Sequence, residues 1–385
     1  MTKQFSISRR PRRLEDVIGH KKIIAEMKKR SIDHNWPQAM MFQGFTGTGK
    51  TTLGFIVSSL INCANPHKME DGHYEPCGEC SSCKSIIHET FNQSVYFYDC
   101  STMGKDDVIG LESVVSSSSL FPGQKTVLIL EEAQQLASAG ARGALLKLLE
   151  KPRNDVHFIL LTMDEKKFDK AIRDRCQVYR FKKLSDTEIS DYIFSILEEE
   201  DPDEKIPETF INEVIPVLVQ DAQGSLRKAL EDFERCLYSE IYTKEEAISE
   251  LGLTDEKTLY EILSLIIKKD PNGIAKMKEM DDIMSFYNYT WKILSNIQVA
   301  EIEGYDSDWK ERRAKAILAT GNINALIDVY LKTHIGSSSY FNPNVFLYYL
   351  TEFYHGRTFN YNNNLREDSG TVTAKATRKV RTVKR

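Results

Sequence analysis

Short apolar runs alternate with amphipathic stretches along the chain as far as Phe181. Ala39 to Gln43 (AMMFQ), Ser94 to Asp99 (SVYFYD), Thr126 to Leu130 (TVLIL) and Val156 to Thr162 (VHFILLT) are brief and rich in β-branched and aromatic side chains. Each predicts a strand, and apolar runs without polar alternation belong to strands buried on both faces. Helices fit between them, from Thr51 to Asn62 after a glycine-rich turn and over Gly143 to Glu150 (GALLKLLE). Strands alternating with helices predict an α/β domain built on a parallel sheet.

After Phe181 the strands stop. Asp186 to Leu197, Pro207 to Val219 and Gly224 to Leu237 have helical periodicity, which predicts a small helical domain ending near Gly252. A third, all-helical region follows from Thr254 to Gly356. It carries aromatic clusters at Phe286 to Trp291 and Tyr340 to Tyr354. Those rings read as helix-on-helix packing, with base stacking as the competing reading. Asn362 to Arg385 is polar and aperiodic, and is expected to be disordered. The expected division is therefore 1–182, 183–252, 253–361 and 362–385, with no internal repeats.

Composition narrows the class. The chain has 385 residues, 41% hydrophobic and 28% charged, as expected of a multidomain globular protein. No apolar run approaches the roughly 20 residues of a membrane span. The basic N-terminus, Met1 to Arg13, lacks the apolar segment of a signal peptide. A net charge of −5 conceals a basic end, where Lys375, Arg378, Lys379, Arg381, Lys384 and Arg385 stand without an acid. The remaining body is acidic and cannot coat nucleic acid indiscriminately, so DNA contact must be local or shared with partners. A cytoplasmic protein is expected, because four of the seven cysteines are bunched as in an intracellular metal site.

Gly44-Phe45-Thr46-Gly47-Thr48-Gly49-Lys50-Thr51 matches the phosphate-loop pattern G-x-x-x-x-G-K-S/T between a strand and a helix. Backbone N–H groups of such a loop, and of the helix N-terminus behind it, stabilise phosphate charge. Lys50 is expected to reach the β- and γ-phosphates of ATP and Thr51 to hold Mg²⁺, with Thr52 a further nucleotide-binding residue. Glu131 and Glu132 end the TVLIL run, where a carboxylate pair can position metal and water. Glu132 is the candidate for polarising the attacking water and Glu131 for supporting Mg²⁺. A helix-capping role is the competing reading of that pair.

Cys77-x-x-Cys80-x-x-Cys83, with Cys63 upstream, offers four thiolates. That set fits a closed, structural, tetrahedral Zn²⁺ site. An iron–sulfur cluster is the competing occupant. His67 and His73 lie in the Cys63–Cys77 loop and are alternative ligands, while Cys100, Cys176 and Cys236 are isolated.

In this order the motifs resemble the gamma/tau subunit family of the bacterial DNA polymerase III clamp loader, an AAA+ family. Arg10-Pro11 and Leu14 to His20 (LEDVIGH) are similar to that family's start, which borders the adenine pocket and implies contacts from Val17 and Ile18. The cysteine insertion directly after the phosphate-loop helix and Ala144 to Pro152 after the acidic pair also resemble the family. The resemblance implies that Thr162 probes the γ-phosphate, that Arg175 of Arg173-Asp174-Arg175-Cys176 acts on a neighbour's ATP, and that Arg227 in Gly224 to Leu230 meets the chain's own nucleotide. It covers roughly residues 8–240 and leaves the last third to be read as a collar only by position. Three departures stand out: Glu131 where the family has Asp, Asp174 where it has Ser, and a longer Cys63–Cys77 gap. With the unextended C-terminus they suggest a divergent, phage-type version.

The resemblance implies an ATPase that joins other subunits, as a pentamer, to open a sliding clamp and place it on primed DNA, with ATP, Mg²⁺ and Zn²⁺ as cofactors and no membrane partner. Lys105, expected on the loop after the second strand, and Ser138 are the candidate contacts to DNA phosphates. Two other functions compete: a non-hydrolysing structural clamp-loader subunit, and an AAA+ helicase loader or initiator.

Overall fold

The computed structural model describes residues 4–87, 94–116, 124–136, 139–150, 153–200, 205–253 and 256–280, with shorter stretches at 283–284, 286–291, 293, 326–330, 333 and 343–354. The chain forms two compact units, Met1–Leu251 and Gly252–Arg385.

The first unit begins with a short helix, α1 (Phe5–Ser8), and α2 (Lys21–Asp33). It continues through β1 (Ala39–Gln43), α3 (Lys50–Asn62), a hairpin of β2 (His67–Lys68) and β3 (Tyr74–Glu75), and α4 (Ser81–Ile87). Next come β4 (Val95–Asp99), α5 (Lys105–Ser116), β5 (Thr126–Glu131), α6 (Ala139–Glu150), β6 (Val156–Thr162), α7 (Lys170–Arg173) and β7 (Gln177–Arg180). The five long strands lie in the order β4-β5-β6-β1-β7, all parallel. This is an α/β domain with helices on both faces of a parallel sheet.

Strand alternation sorts the core into two layers. Ala39, Met41, Leu128, Leu130, Phe158 and Leu160 face α5 and α6, meeting Val108, Leu111, Leu145 and Leu148. Met40, Phe42, Val127, Ile129, Ile159 and Leu161 face the other way, onto Leu53, Ile56 and Val57 of α3 and Ile24 and Met27 of α2. Burying each such side chain contributes about 1.5–3 kcal/mol, so the strands rather than the loops fix where their carboxyl ends stand. The strand order reverses beside β1, and that crevice is where open parallel sheets bind ligands.

Four helices complete the unit: α8 (Asp186–Glu200), α9 (Ile215–Ala222), α10 (Leu226–Tyr238) and α11 (Lys244–Glu250). Ile189, Ile193, Leu218, Ala229, Phe233 and Cys236 form their shared core, into which Phe5 also inserts. The single helix expected over 207–219 is instead a π-helical turn, Phe210–Val214, running into α9. Pro216 explains it. A proline ring has no N–H for the fourth carbonyl back and crowds it, and a widened turn relieves the clash. Thr243 and Glu246 start α11 with a reciprocal capping box.

The second unit includes α12 (Glu256–Ile267), α13 (Pro271–Lys278) and α14 (Pro343–Tyr354). Its aromatic residues pack on one another, with Tyr330 buried against Tyr287 and Phe346 at ring distances of 4.8 and 5.0 Å. The basic end at 362–385 lies outside the described residues. Among the described residues no helix is long and apolar enough to cross a membrane.

Candidate functional site

The phosphate-loop residues Gly44–Thr51 leave β1 between its two neighbouring strands. The Gly44 amide donates to the Thr162 carbonyl at the end of β6, 3.0 Å away, and the Phe181 amide to the Gln43 carbonyl at 2.7 Å. Gly44 has to be glycine, because a Cβ there would stand 2.7 Å from the Phe181 backbone oxygen. Lys50 opens α3 with its side chain folded back, donating to the carbonyls of Gly44 (2.8 Å) and Phe45 (2.7 Å). Burial pushes its ammonium down to about 8, although Glu132 and Glu131 pull it up again and Arg227 adds to the depression.

Thr51 Oγ1 donates to Glu131 Oε1 at 2.9 Å, joining the loop to the end of β5 two strands away. Glu132 follows in a left-handed backbone conformation, and Gln134 Nε2 donates to its carboxylate. The same Gln134 accepts from the Met163 amide at 3.3 Å, bridging the ends of β5 and β6. One cavity gathers Thr46, Gly47, Gly49, Lys50, Thr51, Thr52, Glu131, Glu132 and Arg227, together with Ser6, Arg9, Arg10, Pro11, Leu226 and Leu230. Cations and backbone N–H groups meet a carboxylate pair there, an arrangement suited to a phosphate chain with a divalent ion.

Residues 19–185 match the family model for DNA polymerase III, delta subunit. The DNA polymerase III subunit tau/gamma of Haemophilus influenzae is 30% identical over 256 residues, 66% of this chain and 35% of that protein. Subunit tau of Bacillus subtilis is 31% identical over 57% of this chain and 37% of its own length. Subunit gamma of Buchnera aphidicola subsp. Baizongia pistaciae is 25% identical over 84% of this chain and 86% of its own. The chain is similar to DNA polymerase III gamma and tau subunits. It spans about a third of the length of the Haemophilus and Bacillus relatives. A Thermotoga maritima RuvB structure also aligns, with 15% identity, a TM-score of 0.44 and coverage of 69% of this chain and 80% of that one.

Several motif residues occupy other places than the cavity wall. Gly44 and Thr48 shape the loop from within, Thr48 Oγ1 donating to the Phe45 carbonyl at 2.8 Å. Val17 packs against the sheet core and Ile18 against the helical bundle. Thr162 is buried, and its Oγ1 accepts from the Asp164 amide at 3.1 Å. It is Met163 whose sulfur faces Thr46 Oγ1, at 3.8 Å. Arg175 is on the surface away from this cavity, donating to Glu150 (3.0 Å) and to the Ala171 carbonyl (2.8 Å).

The expectation of Lys105 in a loop is corrected: it is the first residue of α5. Asp107 accepts from the Gly104 amide at 2.7 Å, and acids in the first turn complement the helix dipole, so the helix begins earlier than apolar periodicity indicates. Lys105 is exposed, with its stem against Gly140. Ser138 lies outside the described residues.

The sulfurs of Cys63, Cys77, Cys80 and Cys83 all lie within 4.8 Å of one another. Backbone amides of Cys77, Cys80 and Cys83 donate to the sulfurs of Cys63, Cys77 and Cys80 at 3.3, 3.3 and 3.5 Å. Four sulfurs around one Zn²⁺ at about 2.3 Å would stand roughly 3.8 Å apart, and N–H···S bonds stabilise thiolates, so the donor set fits. His67 is exposed on β2 and His73 bonds carboxylates, so neither substitutes for a thiolate. Burial pushes Cys100 and Cys176 up to about 12 and Cys236 up to about 11.

Two contacts were missed from sequence. His20 Nε2 is 2.9 Å from the Thr48 carbonyl, its protonation disfavoured by burial. Arg9 reaches Glu199 and Glu200 of α8 while also lining the cavity. His20 was visible only as part of LEDVIGH, and nothing at sequence level pairs Arg9 with a helix 190 residues on.

Proposed function

We propose that this chain is the ATP-hydrolysing subunit of a sliding-clamp loader. The observation that carries the proposal is the Thr51–Glu131 hydrogen bond inside a cavity shared with Lys50, Glu132 and Arg227. Thr51 and Glu131 would hold Mg²⁺, which supplies charge neutralisation on phosphate oxygens when bound. Lys50 would exchange the Gly44 and Phe45 carbonyls for terminal phosphate oxygens. Glu132, oriented by Gln134, accepts a proton from the attacking water. Arg227 sits at the start of α10, so a γ-phosphate contact there biases the angle between the sheet domain (1–182) and the helical lid (183–252).

Arg175 serves the neighbouring protomer's ATP, and residues 253–361 form the collar that assembles it with other loader subunits, five in all. The spiral so formed opens the clamp and receives primed DNA, with Lys105 and Ser138 contacting phosphates. Cys63, Cys77, Cys80 and Cys83 hold one structural Zn²⁺. A non-hydrolysing subunit is the second reading, and the tie between Gln134 and the Glu132 carboxylate is what favours it.

Steady-state ATPase assays with and without clamp and primed DNA test the proposal. Joint stimulation that disappears in Lys50→Ala and Glu132→Gln is expected. Turnover indifferent to both clamp and DNA overturns clamp loading, and nucleotide binding without turnover selects the second reading.

A further inference from the structure

Residues 5–15 cross from the helical bundle to the cysteine insertion, and both ends are fastened. At the bundle end Phe5 is buried beside Phe233, and its amide donates to Glu234 at 2.8 Å. Arg9 pairs with Glu199 and Glu200, and the Tyr192 hydroxyl donates to the Arg9 carbonyl at 2.6 Å. At the other end a single side chain holds the segment. Glu75 Oε2 accepts from the Leu14 amide at 2.8 Å and Glu75 Oε1 from the Glu15 amide at 3.2 Å. Glu75 is fully buried, with His73 Nε2 2.9 Å from Oε1. It ends β3, two residues before Cys77. Between the two fastenings, Ser6, Arg9, Arg10 and Pro11 form one wall of the phosphate cavity.

A buried carboxylate is costly unless its oxygens are satisfied, and here two main-chain N–H groups and an imidazole satisfy them. Nothing about a Cys₄ staple requires those amides to come from a segment sixty residues upstream. We infer that Glu75 is a positioning residue for nucleotide binding. It anchors the 5–15 strap to the cysteine insertion, and so holds Arg9, Arg10 and Pro11 against the nucleotide. The insertion then acts on affinity through the strap, without touching the ligand. This inference rests on the nucleotide reading of the cavity.

Glu75→Gln is the informative substitution. One amide N–H of glutamine would face the Leu14 or Glu15 amide, donor against donor, while size is kept. Tyr192→Phe loosens the opposite end and lies outside the cavity wall. Both variants, their double variant and Lys50→Ala are compared with wild type by titrating a fluorescent ATP analogue with Mg²⁺, by metal analysis, and by hydrogen exchange at Leu14 and Glu15. Loss of a charge-assisted hydrogen bond should weaken analogue binding about five- to tenfold in Glu75→Gln. Zinc content should stay at the wild-type level, and protection at Leu14 and Glu15 should fall. Since either cut loosens one strap, the double variant should lose less than the product of the two single losses. Wild-type affinity in Glu75→Gln, a fully multiplicative double variant, or zinc lost together with affinity each overturns the inference. Absence of analogue binding by wild type would instead sink the nucleotide reading itself.

Discussion

The Leu226 amide donates to the Gly47 carbonyl at 3.1 Å, so the first turn of α10 rests directly on the phosphate loop. Gly47 has φ +76°, and a Cβ there would lie 2.0 Å from Ser225 Oγ. The left-handed conformation alone costs an L-residue about 1–2 kcal/mol, and the clash adds to it. Gly47→Ala should therefore lower the thermal midpoint by about 2–8 °C and weaken nucleotide binding at least about tenfold. Differential scanning calorimetry and analogue titration check this; an unchanged midpoint would show that the bundle does not seat on the loop.

His157, on β6, gives a pH dependence with a defined sign. The ring is buried, with Nδ1 2.9 Å from the Pro37 carbonyl and Nε2 without a hydrogen-bond partner, and burial lowers its pKa. Between the folded and unfolded pKa values the unfolded chain binds more protons, so stability rises with pH. The stabilising contribution is complete above about 6.5, the ordinary histidine value, and is lost as pH falls below it. Urea titrations from pH 7.5 to 5 should show a slope that Asp or Glu protonation does not produce in that range. His157→Asn, which keeps a donor toward Pro37, should reduce it to the part that the half-buried His20 contributes.

Removing the proposed zinc should act on stability before chemistry. Cys80→Ser is expected to leave less than half an equivalent of zinc per chain and to expose the 63–87 segment to limited proteolysis. The sheet, whose core lies on other residues, should keep its far-UV circular dichroism. A full zinc equivalent in Cys80→Ser would exclude it as a ligand.

Arg175 pairs with Glu150 of its own chain at 3.0 Å, with both side chains about a third to a half exposed. Such pairs contribute about 0–1 kcal/mol, so a neighbour's phosphate can take the guanidinium at little cost. In assemblies mixing Arg175→Ala and wild-type subunits, turnover should fall below the average of the two pure assemblies. A linear dependence on mixing ratio would remove the role in trans.

The sheet was legible because β1, β5 and β6 are buried on both faces and so read as uninterrupted apolar runs. The four-residue β7 was not, since Gln177 and Arg180 face solvent at a sheet edge and leave too little period to detect. The phosphate loop, the acidic pair and the cysteines were legible because each chemistry demands fixed spacing. Contacts that depend on tertiary approach left no such trace. Glu75 and Leu14 are 61 positions apart, and Glu75 looks in sequence like an acid on a surface loop. Thr162 matched its motif, but the alternation of β6 sends Met163 to the loop and leaves Thr162 capping the next turn.

The burial of Cys100 and Cys236 and the partial burial of Cys176 have a practical corollary. Thiols held so far from ionisation react slowly with alkylating or disulfide reagents near neutral pH, so they form a silent background. Any fast-reacting sulfhydryl in the folded protein then belongs to the Cys63–Cys83 cluster. Colorimetric thiol counting during chelation would consequently report departure of the proposed zinc ion in real time, with no label added to the protein.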